Sequence, residues 1–170
     1  MAKFDKYDAA KDQLNRVLGF FQRADAKASV LLSLDLGMLA LLAVNAPAAA
    51  SFDWPMLVVA APLTLLTISL VHLYLGAFPQ LDGGHDSLVY FREIAKKTEV
   101  KCMQEFCAAS EEELLKDLLA QIWRNSEILK TKFDHLKLAF VFLAWGIVPW
   151  VLTLTVFVMS SPRGQSLFAK

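Results

Sequence analysis

The chain has 170 residues, 56% of apolar type and 20% charged, and its 17 Lys+Arg balance 17 Asp+Glu. Soluble domains run about 45–50% apolar and about 25% charged, so the apolar excess points to a membrane protein and away from a single water-soluble core. A zero net charge excludes a general nucleic-acid binder, and two cysteines, Cys102 and Cys107, exclude a disulfide-dense secreted scaffold.

In residues 1–27, Leu14, Val17, Leu18 and Phe21 recur at helical spacing. No proline occurs before Ala46, so a helix starting near Asp8 or Asp12 continues into the first apolar block, 28–46. That block lies behind a long charged segment, unlike a cleaved signal peptide, and is read as a retained span. The second block, 56–78, and the third, 138–159, contain no Asp, Glu, Lys or Arg. Each of the three is close to the roughly 20 residues that a spanning helix needs. Pro47 follows the first span and Pro55 opens the second, while Pro62 and Pro149 lie inside spans and predict kinks that neighbouring helices tolerate.

Between the second and third spans lies segment 79–137. It is entered through a turn-rich stretch, FPQLDGGHDS (78–87), where Asp86 or Ser87 caps a helix over about Leu88 to Phe106. Ser110-Glu-Glu-Glu113 then has the form of a capping box. Between Glu111 and Gly146 there is neither Pro nor Gly, so one helix runs from the capping box through the third span. Its seam reads Leu115, Leu118, Ile122, Asn125, Leu129, Lys132, Leu136, in alternating steps of three and four. Asn125 on such a seam fixes register or oligomer state. Lys132 either meets an anion or snorkels to the membrane surface.

Basic residues set the orientation. Residues 1–27 hold six and segment 79–137 holds nine, whereas the loop 47–55 holds none and the tail only Arg163 and Lys170. Basic flanks stay in the cytoplasm. The expected fold is therefore all-α, with three spans and a small cytoplasmic helical sensor domain (79–137) inserted between spans 2 and 3. The amino-terminal helix (1–27) is cytoplasmic and the tail (160–170) periplasmic. Both cysteines then face a reducing compartment as free thiols.

The sequence has no phosphate-binding GxxxxGK[ST], no GxGxxG, GxSxG or HExxH, and its histidines, His72, His85 and His135, are scattered. LDGGHD (81–86) has the wrong spacing for a calcium loop. Neither an enzyme, a cofactor nor a metal is expected. Asp35 inside a span is a functional candidate: it pairs with His72, lines a water path, or makes an interhelical hydrogen bond to Ser or Thr. The cytoplasmic segments offer another constellation. Arg23 and Lys27 stand where the first helix enters the membrane, Tyr90 opens the following segment, and Asp117, Gln121, Asn125 and Lys132 lie along the third helix. An anionic cyclic nucleotide needs cations for its phosphate, amides for its base edge and an aromatic face for stacking.

Three stretches, ADAKAS at the first span, SLVYFREIA at 87–95 and LLKDLLAQIWRNSEILKTKF at 114–133, resemble the transmembrane effector of bacterial Pycsar systems, the pyrimidine-cyclase anti-phage defences. The resemblance runs from about Gln22 to the third span. It implies an inner-membrane effector that binds cyclic CMP or cyclic UMP made by a pyrimidine cyclase, impairs membrane integrity and stops the infected cell. Side-chain chemistry assigns Arg23, Lys27 and Lys132 to the phosphate, Gln121 and Asn125 to the base edge and Tyr90 to stacking, in a homo-oligomer. Two other readings are a ligand-independent membrane scaffold and a small channel or transporter using Asp35 and His72.

Overall fold

The computed structural model describes residues 5–46, 58–78, 84 and 86–160. Pro47, Pro55, His85, most of the 81–86 turn, the first two residues of the expected second span and the tail from 161 lie outside them. Among the described residues all regular structure is helical: α1 (Lys6–Asn45), α2 (Ala60–Ala77), the single turn α3 (Phe91–Ile94), α4 (Glu99–Ala108) and α5 (Glu111–Ser160). Asp5, and neither Asp8 nor Asp12, starts α1: its carboxylate accepts the Tyr7 N–H at 2.8 Å and the Asp8 N–H at 3.4 Å. The capping box at the head of α5 is formed in both directions. The Ser110 N–H donates to Glu113 Oε2 at 2.7 Å, and the Glu113 N–H to Ser110 Oγ at 3.3 Å.

The helix expected over Leu88 to Phe106 is instead two, broken at 95–98. Thr98 is extended (φ −72, ψ 154) and its hydroxyl accepts the Lys101 N–H, so it ends one helical run and caps the next. Chain contacts divide the molecule into two units, Met1–Ala24 with Phe78–Lys132, and Asp25–Ala77 with Phe133–Lys170.

In the first unit Ala10, Val17, Ala24 and Leu118 are buried, and every member of the expected α5 seam up to Lys132 is buried or half-buried. On α1 the closely packed residues recur every seven positions (10, 17, 24 and, in the second unit, 31). Two of these are alanines, whose small size lets helices approach closely.

The second unit carries the apolar parts of α1, α2 and α5, three helices long and apolar enough to cross a bilayer. The chain is a membrane protein. Leu31, Leu73, Ala139 and Leu143 form the packed centre of this unit. Within the described residues α2 opens at Ala60, so Pro62 falls in its first turn rather than its interior. Pro62 has no N–H to return to the Val58 carbonyl. The hydroxyl of Thr153, wholly buried, lies 2.8 Å from the carbonyl of Pro149 and 3.1 Å from that of Val58, so its single proton is shared between its own helix and the group that Pro62 leaves free. Thr153→Val keeps the shape and removes the donor. Its expected cost is about 1 kcal/mol, read as a lower melting temperature in detergent micelles, with Thr153→Ser close to the parent.

Candidate functional site

The segment after the second span is held by α5. Asp117, half-buried, accepts the Ser87 hydroxyl at 2.8 Å and the N–H groups of Leu88 at 2.7 Å and Val89 at 3.2 Å. Ser87 Oγ in turn accepts from Val89 N at 3.1 Å and Tyr90 N at 2.8 Å. Ser87 thus closes a turn ahead of α3, and the extended Tyr90 is the residue that leads into that helix. One turn beyond Asp117, the buried Gln121 donates its Nε2 to Ser87 Oγ at 3.3 Å. Asn125, one turn further, donates Nδ2 to the Gln121 carbonyl at 2.9 Å. Tyr90, Gln121 and Asn125 are therefore brought into one hydrogen-bonded neighbourhood. The Tyr90 ring meets Phe91 edge-on at 5.0 Å.

A cleft of about 750 Å³ opens beside this turn. Four carboxylates line it, Asp86, Glu105, Glu113 and Asp117, against the single ammonium of Lys97. Such a surplus of negative charge repels a phosphate. Asp86 is in the left-handed region (φ 57), a conformation that aspartate tolerates. Its carbonyl receives Lys97 Nζ at 3.4 Å and its N–H reaches Glu93 Oε2 at 3.4 Å. Lys97 also pairs with Glu105 at 2.6 Å across the break between α3 and α4.

The hydrogen bond with Glu105 holds Lys97 above the ordinary 10.5, and the same bond holds Glu105 below the ordinary 4.5. A raised lysine stabilises the fold at pH below its unfolded value and ceases to as pH climbs through its folded value. A depressed glutamate stabilises above its unfolded value and ceases to as pH falls through its folded one. The pair contributes fully between about pH 4.5 and 10.5. Glu105→Gln is expected to melt lower than the parent at neutral pH and to lose less on acidification below 4.5, by circular dichroism against pH.

The expected phosphate cations separate between the units. In the first, Arg23 lies 5.2 Å above the Phe20 ring and Lys132 lies 5.6 Å above the Phe21 ring. Each cation is thus seated on an aromatic face of α1. Lys27 belongs to the second unit, where with Lys137 it lines an apolar trough.

Inside the second unit the polar residues pair differently from one expectation. Asp35 does not meet His72. Both it and Ser69 are wholly buried, with Ser69 Oγ 2.7 Å from Asp35 Oδ2 and 3.0 Å from the Ala139 carbonyl. This is the interhelical hydrogen bond to a serine, and it ties α1, α2 and α5 at one point. Asp35 Oδ1 has no hydrogen-bond partner among the described residues. His72, one turn along α2 from Ser69, has its Nδ1 3.1 Å from His135 Nδ1 and stacks on Phe142 at 5.8 Å. One ring donates and the other accepts.

The sequence places Asp117 and Gln121 one turn apart along the third helix but does not assign Asp117 its role. A carboxylate one turn from an amide was the available signal. Nothing local pointed to Ser87 thirty residues away, to the Lys97–Glu105 pair, or to the meeting of His72 with His135.

No curated protein and no solved structure matches the chain. A family model, described as the Pycsar effector protein domain, matches residues 9–159 and so takes in all five helices but for the ends of α1 and α5. The match covers far more than half of the sequence and includes the hydrogen-bonded turn, both aromatic-seated cations and the three apolar helices. The chain belongs to the Pycsar effector family, and its role is that of a membrane effector in anti-phage defence.

Proposed function

We propose that the protein binds a cyclic pyrimidine mononucleotide, cyclic CMP or cyclic UMP, on the cytoplasmic side of the inner membrane. Binding impairs membrane integrity, so that the infected cell halts before phage matures. The ligand is the product of a partner pyrimidine cyclase, and the effector itself catalyses nothing. The observation that carries the reading, beside family membership, is the seating of Arg23 and Lys132 on adjacent phenylalanines of one unit. Two cations on exposed or half-buried aromatic faces are the chemistry that receives a monoanion bearing a flat base. Gln121 and Asn125 supply amide atoms for the base edge, and Tyr90 a ring for stacking. Lys27, the third cation expected there, lies in the other unit and takes a different role below. Since α5 is unbroken from Glu111 to Ser160, a shift near Lys132 is transmitted along one helix into its apolar part.

Calorimetric titration of the purified chain with cyclic UMP and cyclic CMP tests the reading. One of the two is expected to release heat, and Arg23→Ala and Lys132→Ala are each expected to weaken it roughly tenfold, the loss of one charge-assisted contact. A folded chain silent to both overturns the proposal. The same ligand is expected to start dye release from vesicles that contain the protein.

The first unit also exposes Val100, Met103 and Phe106 on α4, and Leu119 and Trp123 one turn apart on α5. Apolar side chains at this density outside the spans fit a homo-oligomer. Light scattering with Trp123→Glu is expected to show a smaller particle than the parent.

A further inference from the structure

The trough in the second unit has a different chemistry from the acidic cleft. It encloses about 620 Å³ between α1 and α5. Val30 and Leu31 on α1, and Leu136 and Phe140 on α5, give it an apolar floor and walls. Among the described residues its charged lining groups are the ammoniums of Lys27 and Lys137, with no carboxylate beside them. Both lysines are exposed, and Val30 and Phe140 are 61% and 57% exposed, so the trough is open along its length.

The two cations lie at nearly one level. Lys27 stands one turn before Leu31 on α1, and Leu31 clusters with Ala139, two residues beyond Lys137 on α5. By helical rise this places the ammonium-bearing residues within about one turn, roughly 5 Å, of each other along the helices. Beyond them α1 and α5 continue as uncharged membrane-spanning segments, save for the buried Asp35.

We propose that this trough binds an anionic phospholipid. Its phosphate lies between Lys27 and Lys137, and an acyl chain runs along Val30, Leu31, Leu136 and Phe140. Three features select this occupant. An apolar floor open to the bilayer takes an acyl chain, which a free phosphate or a nucleotide does not have. A doubly basic rim without acidic neighbours in the lining favours a net negative headgroup over a zwitterionic one. The position, at the edge of the spanning segments, is headgroup depth. The inference rests on the membrane-spanning fold and not on the nucleotide reading, and its test contains no nucleotide.

The full-length chain in detergent, titrated with phosphatidylglycerol or with phosphatidylcholine of the same acyl chains, is followed by native mass spectrometry. Tighter binding of phosphatidylglycerol is expected, weakening between 0.1 and 0.5 M salt in a parallel fluorescence titration. Lys27→Gln and Lys137→Gln are each expected to cost about fivefold in phosphatidylglycerol affinity, and the double variant about twenty-five-fold, with phosphatidylcholine unchanged. The doubly arginine-substituted chain, Lys27→Arg with Lys137→Arg, is expected to keep the preference. Equal affinity for the two lipids, a salt-independent preference, or a trough covered by a second copy and closed to both overturns the proposal. The salt titration uses the unaltered chain and decides the matter even where a variant fails to fold.

Discussion

Asp117→Ala is expected to release the segment between the second span and α3. The carboxylate accepts two backbone N–H groups and one hydroxyl there, all half-buried or buried, and alanine leaves the three donors without it. Hydrogen bonds to a charged acceptor contribute about 1.5–3 kcal/mol each, and they do not add when they share one acceptor. A total loss of about 3 kcal/mol follows. Hydrogen exchange should report it locally: the amides of Leu88, Val89 and Tyr90 lose protection, while those of α2 keep theirs. Asp117→Asn retains one oxygen and is expected to lose about half as much. If Tyr90 and Gln121 contribute to nucleotide binding as proposed, affinity falls with the turn, because Ser87 holds both in place.

Ser69→Ala should be the most damaging single-atom change in the membrane-spanning unit. It deletes a hydroxyl at the point where three helices meet and strands the buried Asp35, one of whose oxygens already lacks a partner among the described residues. Ordinary interhelical hydrogen bonds in membrane proteins are worth about 0.6 kcal/mol and seldom more than about 1.7. A carboxyl left without any partner in hydrocarbon raises the cost, and about 2 kcal/mol is expected. Asp35→Asn keeps the size and the contact to Ser69, and is expected to stay within about 1 kcal/mol of the parent. Combining it with Ser69→Ala should recover part of the loss, the signature of a pair that interacts. The two substitutions also separate the roles open to Asp35. A staple survives Asp35→Asn with membrane activity intact, whereas an ion or proton path through the carboxylate does not. Full burial and the Ser69 bond favour the staple.

Much of the architecture was legible in the residues themselves. The three apolar blocks, the capping box at Ser110–Glu113 and the unbroken run from Glu111 into the third apolar block depend on short stretches, and each forms as its local pattern dictates. Even the two errors in helix extent were local. Asp5 rather than Asp8 or Asp12 takes the cap of α1, and Thr98 breaks the single helix expected over Leu88 to Phe106. A β-branched residue whose hydroxyl accepts the Lys101 N–H ends the run there, because it offers the backbone a bond that a helix interior does not.

The partners of polar groups were not legible in this way. Asp35 was visible as a buried acid, and a serine was among its expected partners, yet the choice of Ser69 over His72 rests on which face α2 turns to α1. Each residue along a helix rotates the side chain by about 100°, so a step of three residues along α2 decides between a hydroxyl and an imidazole. The same holds for Ser87 with Asp117, for His72 with His135 and for Thr153 with the Val58 carbonyl. By itself the sequence determined which stretches are helical and which are apolar enough for a bilayer, because hydrophobic period, caps and proline act over a few neighbouring residues. Only the tertiary structure decided which polar atoms meet, because that follows from the rotation and axial register of helices whose contacting residues stand tens of positions apart in the chain.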